Sequence, residues 1–79
     1  SSELDVRGLR GDEAIESVAV FIDTAILSGY SNLRILHGTG NGILQQLIRS
    51  YLKKVSAVKS FREEDVQLGG AGITVVELY

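Results

Sequence analysis

A single histidine occurs among the 79 residues, and it opens the run His37-Gly38-Thr39-Gly40-Asn41-Gly42. Glycines at alternate positions leave backbone N–H groups uncovered by side chains. Between a strand and a helix, such a run also stands at the positive end of the helix dipole, where anions bind. Histidine changes charge near neutral pH. Phosphate binding or phosphate chemistry is therefore the first expectation. Gly38, Thr39, Gly40, Asn41 and Gly42 would cradle the anion, with His37 as general acid, general base or hydrogen-bond donor. The run is no nucleotide fingerprint, since it lacks the Lys-Ser/Thr of a P-loop and the spacing of a dinucleotide turn. A tight turn with a histidine closing a strand is the plainer alternative.

Two further segments carry chemistry. In Leu4-Asp5-Val6-Arg7-Gly8, Asp5 could orient His37, help bind a metal or hold Arg7. Arg7 could pin a phosphate through its planar fork. The alternative is a solvent-facing ion pair of little energetic weight. In Gly69-Gly70-Ala71-Gly72-Ile73-Thr74, the glycines permit close approach of backbone to a ligand or to the histidine turn. A hairpin connection is the competing reading, with Thr74 either bonding the site or meeting β-propensity.

These segments need a frame to position them. Leu4 and Val6 alternate with Asp5 and Arg7, as in a short strand ended by Gly8. Gly11 opens a helix whose apolar positions, Ala14, Ile15, Val18, Phe21, Ile22, Ala25 and Ile26, form one face. Gly29 stops it, and no Ser, Thr, Asp or Asn caps its start. Residues 33–36 form a second strand. Ile43, Leu44, Leu47, Ile48, Tyr51, Leu52 and Val55 then line a second helix, with Arg49, Lys53 and Lys54 toward its polar side. Residues 58–63 form a third strand, 65–72 a connection and 73–78 a fourth strand. The expected fold is an α/β two-layer sandwich of order β-α-β-α-β-β, a four-stranded mixed sheet with two helices on one face. With its first three strands parallel, all three segments meet at one sheet edge, where open α/β sheets bind ligands.

The composition is that of one ordinary globular domain, 44% hydrophobic and 23% charged. No cysteine is present, so thiolate chemistry and a cysteine metal site are excluded. No apolar run is long enough to span a membrane. The net charge of −2 does not itself suggest a nucleic-acid binder. A local basic surface is compatible with it: Arg7, Arg10, Arg34, Lys53, Lys59 and Arg62 could together track a phosphate backbone. Residues 1–3 read as linker and 4–79 as a single domain cut from a longer protein.

Together and in this order, Leu4-Asp5-Val6-Arg7-Gly8, His37-Gly38-Thr39-Gly40 with Gly42 and Leu44, and the run from Gly69 to Val76 resemble a Smr (small MutS-related) domain. Arg7 stands where many members carry histidine. That variant looks most like the C-terminal domain of bacterial type-two MutS-like ATPases. The resemblance implies a fold similar to the C-terminal domain of translation initiation factor three. It also implies a DNA or RNA endonuclease of low sequence specificity, nicking or branch-selective, whose parent suppresses recombination or rescues ribosomes. The implied partners are branched or nicked DNA, ribosomal RNA and the ribosome, with no membrane. The implied setting is the bacterial cytoplasm, with a monomeric domain in a homodimeric parent. ATP would bind the parent outside this chain, and a divalent ion such as magnesium or manganese could assist.

On this reading the catalytic residues are His37, Asp5 and Arg7. His37 would transfer a proton, Asp5 would orient it or assist a metal, and Arg7 would stabilise charge on the phosphate. Gly38, Thr39, Gly40, Asn41, Gly42, Arg10, Gly70, Gly72 and Thr74 would bind nucleic acid. The competing expectation is a non-catalytic module that docks on DNA or ribosomal RNA. A small-molecule phosphate site at the glycine turn is the third.

Overall fold

The computed structural model describes residues 2–79. Its elements are β1 (Glu3–Asp5), α1 (Gly11–Ser28), β2 (Asn32–Leu36), α2 (Ile43–Leu52), β3 (Val58–Glu63) and β4 (Ile73–Leu78). The order is the expected one. Ser1, read as linker, lies outside the described residues, whereas Glu3 opens β1 beside Arg34.

The sheet runs β1-β2-β4-β3 in space. β1 is parallel to β2, and β4 is antiparallel to both β2 and β3. The first three strands therefore point one way and β4 returns between the second and third. Asp5 lies level with Leu36, Leu36 with Ile73, and Glu63 with Thr74. The ends of three strands and the start of the fourth thus share one edge, which brings the three segments together.

Strand alternation decides what is buried. Leu33 and Ile35 of β2 face the same side as Val76 and Thr74, their antiparallel partners. Ala14, Val18, Ile22 and Ala25 of α1 and Ile48 and Leu52 of α2 close over that side in one cluster. Each large side chain buried there contributes about 1.5–3 kcal/mol. Both helices therefore cover one face. At the start of α1, the Glu13 carboxylate accepts the Arg10 N–H at 3.1 Å, supplying the cap that the flanking residues lack. At its end, Gly29 turns left-handed at φ +77° and its N–H returns to the last turn.

The opposite face has its own cover. Arg34 projects there and donates to Glu64 at 3.0 Å, Glu3 at 2.6 Å and the Leu68 carbonyl at 2.9 Å. Residues 65–72 wind into two short 3-10 turns, Val66–Leu68 and Gly70–Gly72, which the arginine ties down. Arg34 is thereby neutralised, and Arg62 lies 3.9 Å from both Glu64 and Asp65. Arg34 is thus no free cation for tracking a backbone, because the buried Glu64 carboxylate needs it, whereas the Arg62 side chain stays 61% exposed.

Candidate nucleic-acid site

The β2–β4 ladder continues one residue past β2. The His37 N–H donates to the Gly72 carbonyl at 3.0 Å, and so does the Gly38 N–H. His37 therefore keeps the inward parity of Leu33 and Ile35 and is only 5% exposed. Its Nδ1 lies 2.8 Å from the Gly38 carbonyl oxygen, which can only accept, so Nδ1 carries the hydrogen. Nε2 lies 2.8 Å from Thr74 Oγ1, a hydroxyl able to donate or accept there. Arg49 Nε reaches the same hydroxyl at 3.4 Å. The Arg49 guanidinium lies over the Phe61 ring, 5.8 Å from its centroid.

This chain of contacts shapes the glycine turn. The Gly38 carbonyl is held inward by His37. Because the peptide is planar and trans, the Thr39 N–H points the opposite way, outward. Among the described residues, the N–H groups of Thr39, Gly40 and Asn41 donate to no protein acceptor. Gly38 and Gly40 have φ of +82° and +37°, and such left-handed turns bend successive amides into an anion-binding concavity. The Asn41 side chain accepts the Ile43 N–H at 3.2 Å and caps α2, whose dipole adds positive potential.

Arg7 forms the other wall. Its Nε and Nη2 hold both oxygens of Asp5 at 2.9 and 2.6 Å, and its backbone N–H donates to Asp5 at 3.0 Å. The Arg7 side-chain bonds, followed by that backbone bond, hold the Asp5 carboxyl down to about 2. The Arg7 side chain is 60% exposed, so the guanidinium is open to an incoming anion. Arg7, Gly8 and residues 37–45 enclose a groove of about 320 Å³.

Several expected assignments change. Asp5 does not orient His37; its two oxygens belong to Arg7, and the imidazole is held by Thr74 and Gly38. His37 is buried beneath the turn, with both ring nitrogens engaged, so it supports the cradle from below. The amides of Gly38 and Gly42 are taken by Gly72 and Thr39. Gly70 is buried, with its N–H on Asp65. Gly72 braces the turn, and a Cβ there would come within 3.6 Å of Gly38 Cα. Thr74 is fully buried and acts through His37. Arg10 pairs with Asp12 at 3.1 Å and does not line the groove. Thr39, Gly40, Asn41 and Arg7 stand at its surface. Arg49 is the residue that sequence reasoning missed. Its partners Thr74 and Phe61 are distant in the chain, and no local pattern pairs them.

The donor set does not fit a resident divalent ion. Among the described residues, no three His, Cys, Asp or Glu side chains gather as ligands, and both Asp5 oxygens are engaged by a guanidinium. Among the described residues, no helix is long and apolar enough to cross a membrane.

A family model described as the Smr domain matches residues 4–79. The chain is 45% identical over 78 residues to Endonuclease MutS2 of Geobacillus kaustophilus and 49% identical to that of Acetivibrio thermocellus. Each match takes in 99% of this chain and 10% of the relative, so the chain spans about a tenth of the length of the curated relatives it matches. Among solved structures, it superposes on the Smr domain of Thermus thermophilus MutS2 with a TM-score of 0.97. That match has 42% identity and covers 100% of this chain and 99% of the other. It also resembles YdaL, a stand-alone small MutS-related protein from Escherichia coli. There the TM-score is 0.84 and the identity 26%, over 98% of this chain and 63% of that one. The fold, the convergence of the three motifs and these matches agree: the chain belongs to the Smr domain family.

Proposed function

We propose that this domain binds the phosphodiester backbone of DNA or RNA and cleaves it with low sequence specificity. The observation that carries this reading is the row of unpartnered amides, Thr39, Gly40 and Asn41, facing the exposed Arg7 fork across one groove. Backbone amides and a guanidinium recognise phosphate and ignore base identity, which suits a nicking or branch-selective enzyme.

The chemistry follows from the Asp5–Arg7 pair. An incoming phosphate competes for the Arg7 fork. As Arg7 turns to it, Asp5 loses its cation and stands near an anion, which raises its proton affinity. From behind Arg7, at the margin of the groove and outside its lining, Asp5 then takes a proton from an attacking water. The water oxygen bonds to phosphorus, the opposite P–O bond breaks, and the leaving oxygen takes a proton from solvent. The amides and Arg7 stabilise the charge that builds on the non-bridging oxygens. His37 moves no proton in this scheme; it fixes the amides through the Gly38 carbonyl.

The tight hold of Arg7 on Asp5 favours a second reading, in which the module binds nucleic acid without cutting it. A nicked-circle assay with parallel binding measurements separates the two. Cleavage predicts that Asp5→Asn binds duplex DNA but no longer nicks it, while Arg7→Ala loses both. An unmodified domain that binds and never nicks leaves the binding module. Nicking by Asp5→Asn at the original rate refutes the role given to Asp5. Longer forms of the protein, acting on recombination intermediates or on ribosomes, would use the same cradle.

A further inference from the structure

Charge is divided sharply along this chain. All ten carboxylates fall in residues 3–23 and 63–77, while residues 24–62 contain none. That span holds Arg34, Arg49, Lys53, Lys54, Lys59 and Arg62, six of the eight lysines and arginines. Arg34 is neutralised by Glu3 and Glu64 from outside the span, and Arg62 lies 3.9 Å from Glu64 and Asp65. Among the described residues, Arg49, Lys53, Lys54 and Lys59 enter no ion pair between side chains. Three of these four, Arg49, Lys53 and Lys54, lie on α2 or just beyond it, and Lys59 lies on β3.

The surface of α2 gives that charge a direction. Gln45, Gln46, Arg49, Ser50 and Lys53 line a second groove of about 380 Å³. Gln45 also lines the phosphate cradle, so one side chain stands between the two grooves. No carboxylate lines either one. Positions 45, 49 and 53 succeed one another at four-residue intervals, which forms a stripe along one side of the helix. From Gln45 to Lys53 the helix rises about 12 Å, the length of three to four base-pair steps along a duplex axis at about 3.4 Å each.

We infer that the polar stripe of α2, ending at Lys53, is a second contact for the phosphodiester strand held at the cradle. This rests on the proposed backbone binding. The occupant is one continuous polyanionic strand. Gln45 and Ser50 offer neutral donors along the way, and Lys53 supplies the charge at the far end. Such a contact sets the path of the strand without reading its bases.

The test compares Lys53→Gln, Lys59→Gln and Arg7→Ala in binding of a labelled duplex across a salt series. Lys59 is exposed, carries the same charge and lines neither groove. The inference expects Lys53→Gln to reduce the slope of log affinity against log salt by about 0.9, the value of one phosphate contact. Arg7→Ala should do the same, and Lys59→Gln should leave the slope unchanged. Parallel series on DNA and RNA duplexes show which nucleic acid the stripe serves, and loss on either one supports it. An unchanged slope in Lys53→Gln, with a reduced slope in Arg7→Ala, overturns the stripe and leaves the cradle standing. Equal losses in Lys53→Gln and Lys59→Gln overturn it as a mere effect of net charge. Unchanged slopes in both Arg7→Ala and Lys53→Gln overturn cradle and stripe together.

Discussion

Replacing Thr74 with valine removes one hydroxyl from the interior while keeping the side chain's shape. Thr74 is fully buried, and its oxygen lies 2.8 Å from His37 Nε2 and 3.4 Å from Arg49 Nε. Valine leaves Nε2 facing a methyl group in a place water does not reach. A buried polar atom stripped of its partner costs about 1–3 kcal/mol. In a domain of this size each kcal/mol lowers Tm by about 4–8 °C. Thr74→Val should therefore lower Tm by roughly 5–20 °C on the same scale. The Gly38 to Asn41 amides should also shift in a nitrogen–proton spectrum, because His37 no longer fixes the Gly38 carbonyl. Thr74→Ser separates packing from hydrogen bonding. It loses one buried methyl, worth about 1 kcal/mol with its cavity, but keeps the hydroxyl. The serine variant should thus retain the side-chain nitrogen shifts of His37, and the valine variant should not. A valine variant with unchanged stability and unchanged His37 nitrogen signals would refute the support given to the turn.

Three other outcomes follow. Arg34→Ala strands the buried Glu64 carboxylate and frees the Leu68 carbonyl. It should cost about 2 kcal/mol, between the value of an exposed pair and that of a fully buried one. Hydrogen exchange should speed up over residues 65–72. Gly29→Ala places a Cβ on a left-handed residue at φ +77° and should cost about 1–2 kcal/mol in chemical denaturation, with nucleic-acid binding unchanged. The Asp5 carboxyl should titrate near 2 in a carbon-detected pH series, and Arg7→Ala should raise it toward the ordinary carboxylate value of about 3.9 without reaching it, because the residue-7 N–H still donates to it. Because this carboxyl is depressed in the folded state, the pair's contribution is complete above the unfolded value of about 4 and fades as pH falls through about 2.

Much of this molecule is legible in one sequence because its local signals agree. The 3.6-residue stripe of residues 14–26 and the branched run of 73–78 mark their elements with little competition. Gly29 marks the end of α1 for the same local reason. The parity of Leu33 and Ile35 also points His37 inward. Whether it does depends on the ladder continuing past Leu36, and only the Gly72 carbonyl decides that. Non-local contacts account for the other departures. Asp5 reads as a partner for His37, for a metal or for Arg7 in a solvent-facing pair, and the bidentate geometry of Arg7 two residues away wins. Arg34 reads as a surface cation until Glu64, thirty residues later, folds back over the sheet. Arg49 gives no signal, because its role comes from Thr74 and Phe61 meeting it across the core.

The central claim is that the outward amides of the glycine turn hold a phosphodiester. A titration of the labelled domain with a short nicked DNA duplex, followed by nitrogen–proton spectra, tests it most directly. The account expects the largest shifts at the amides of Thr39, Gly40 and Asn41 and at Arg7 Nε, with weaker ones along α2 toward Lys53. Binding that moves other resonances while those three amides and Arg7 stay fixed would contradict it.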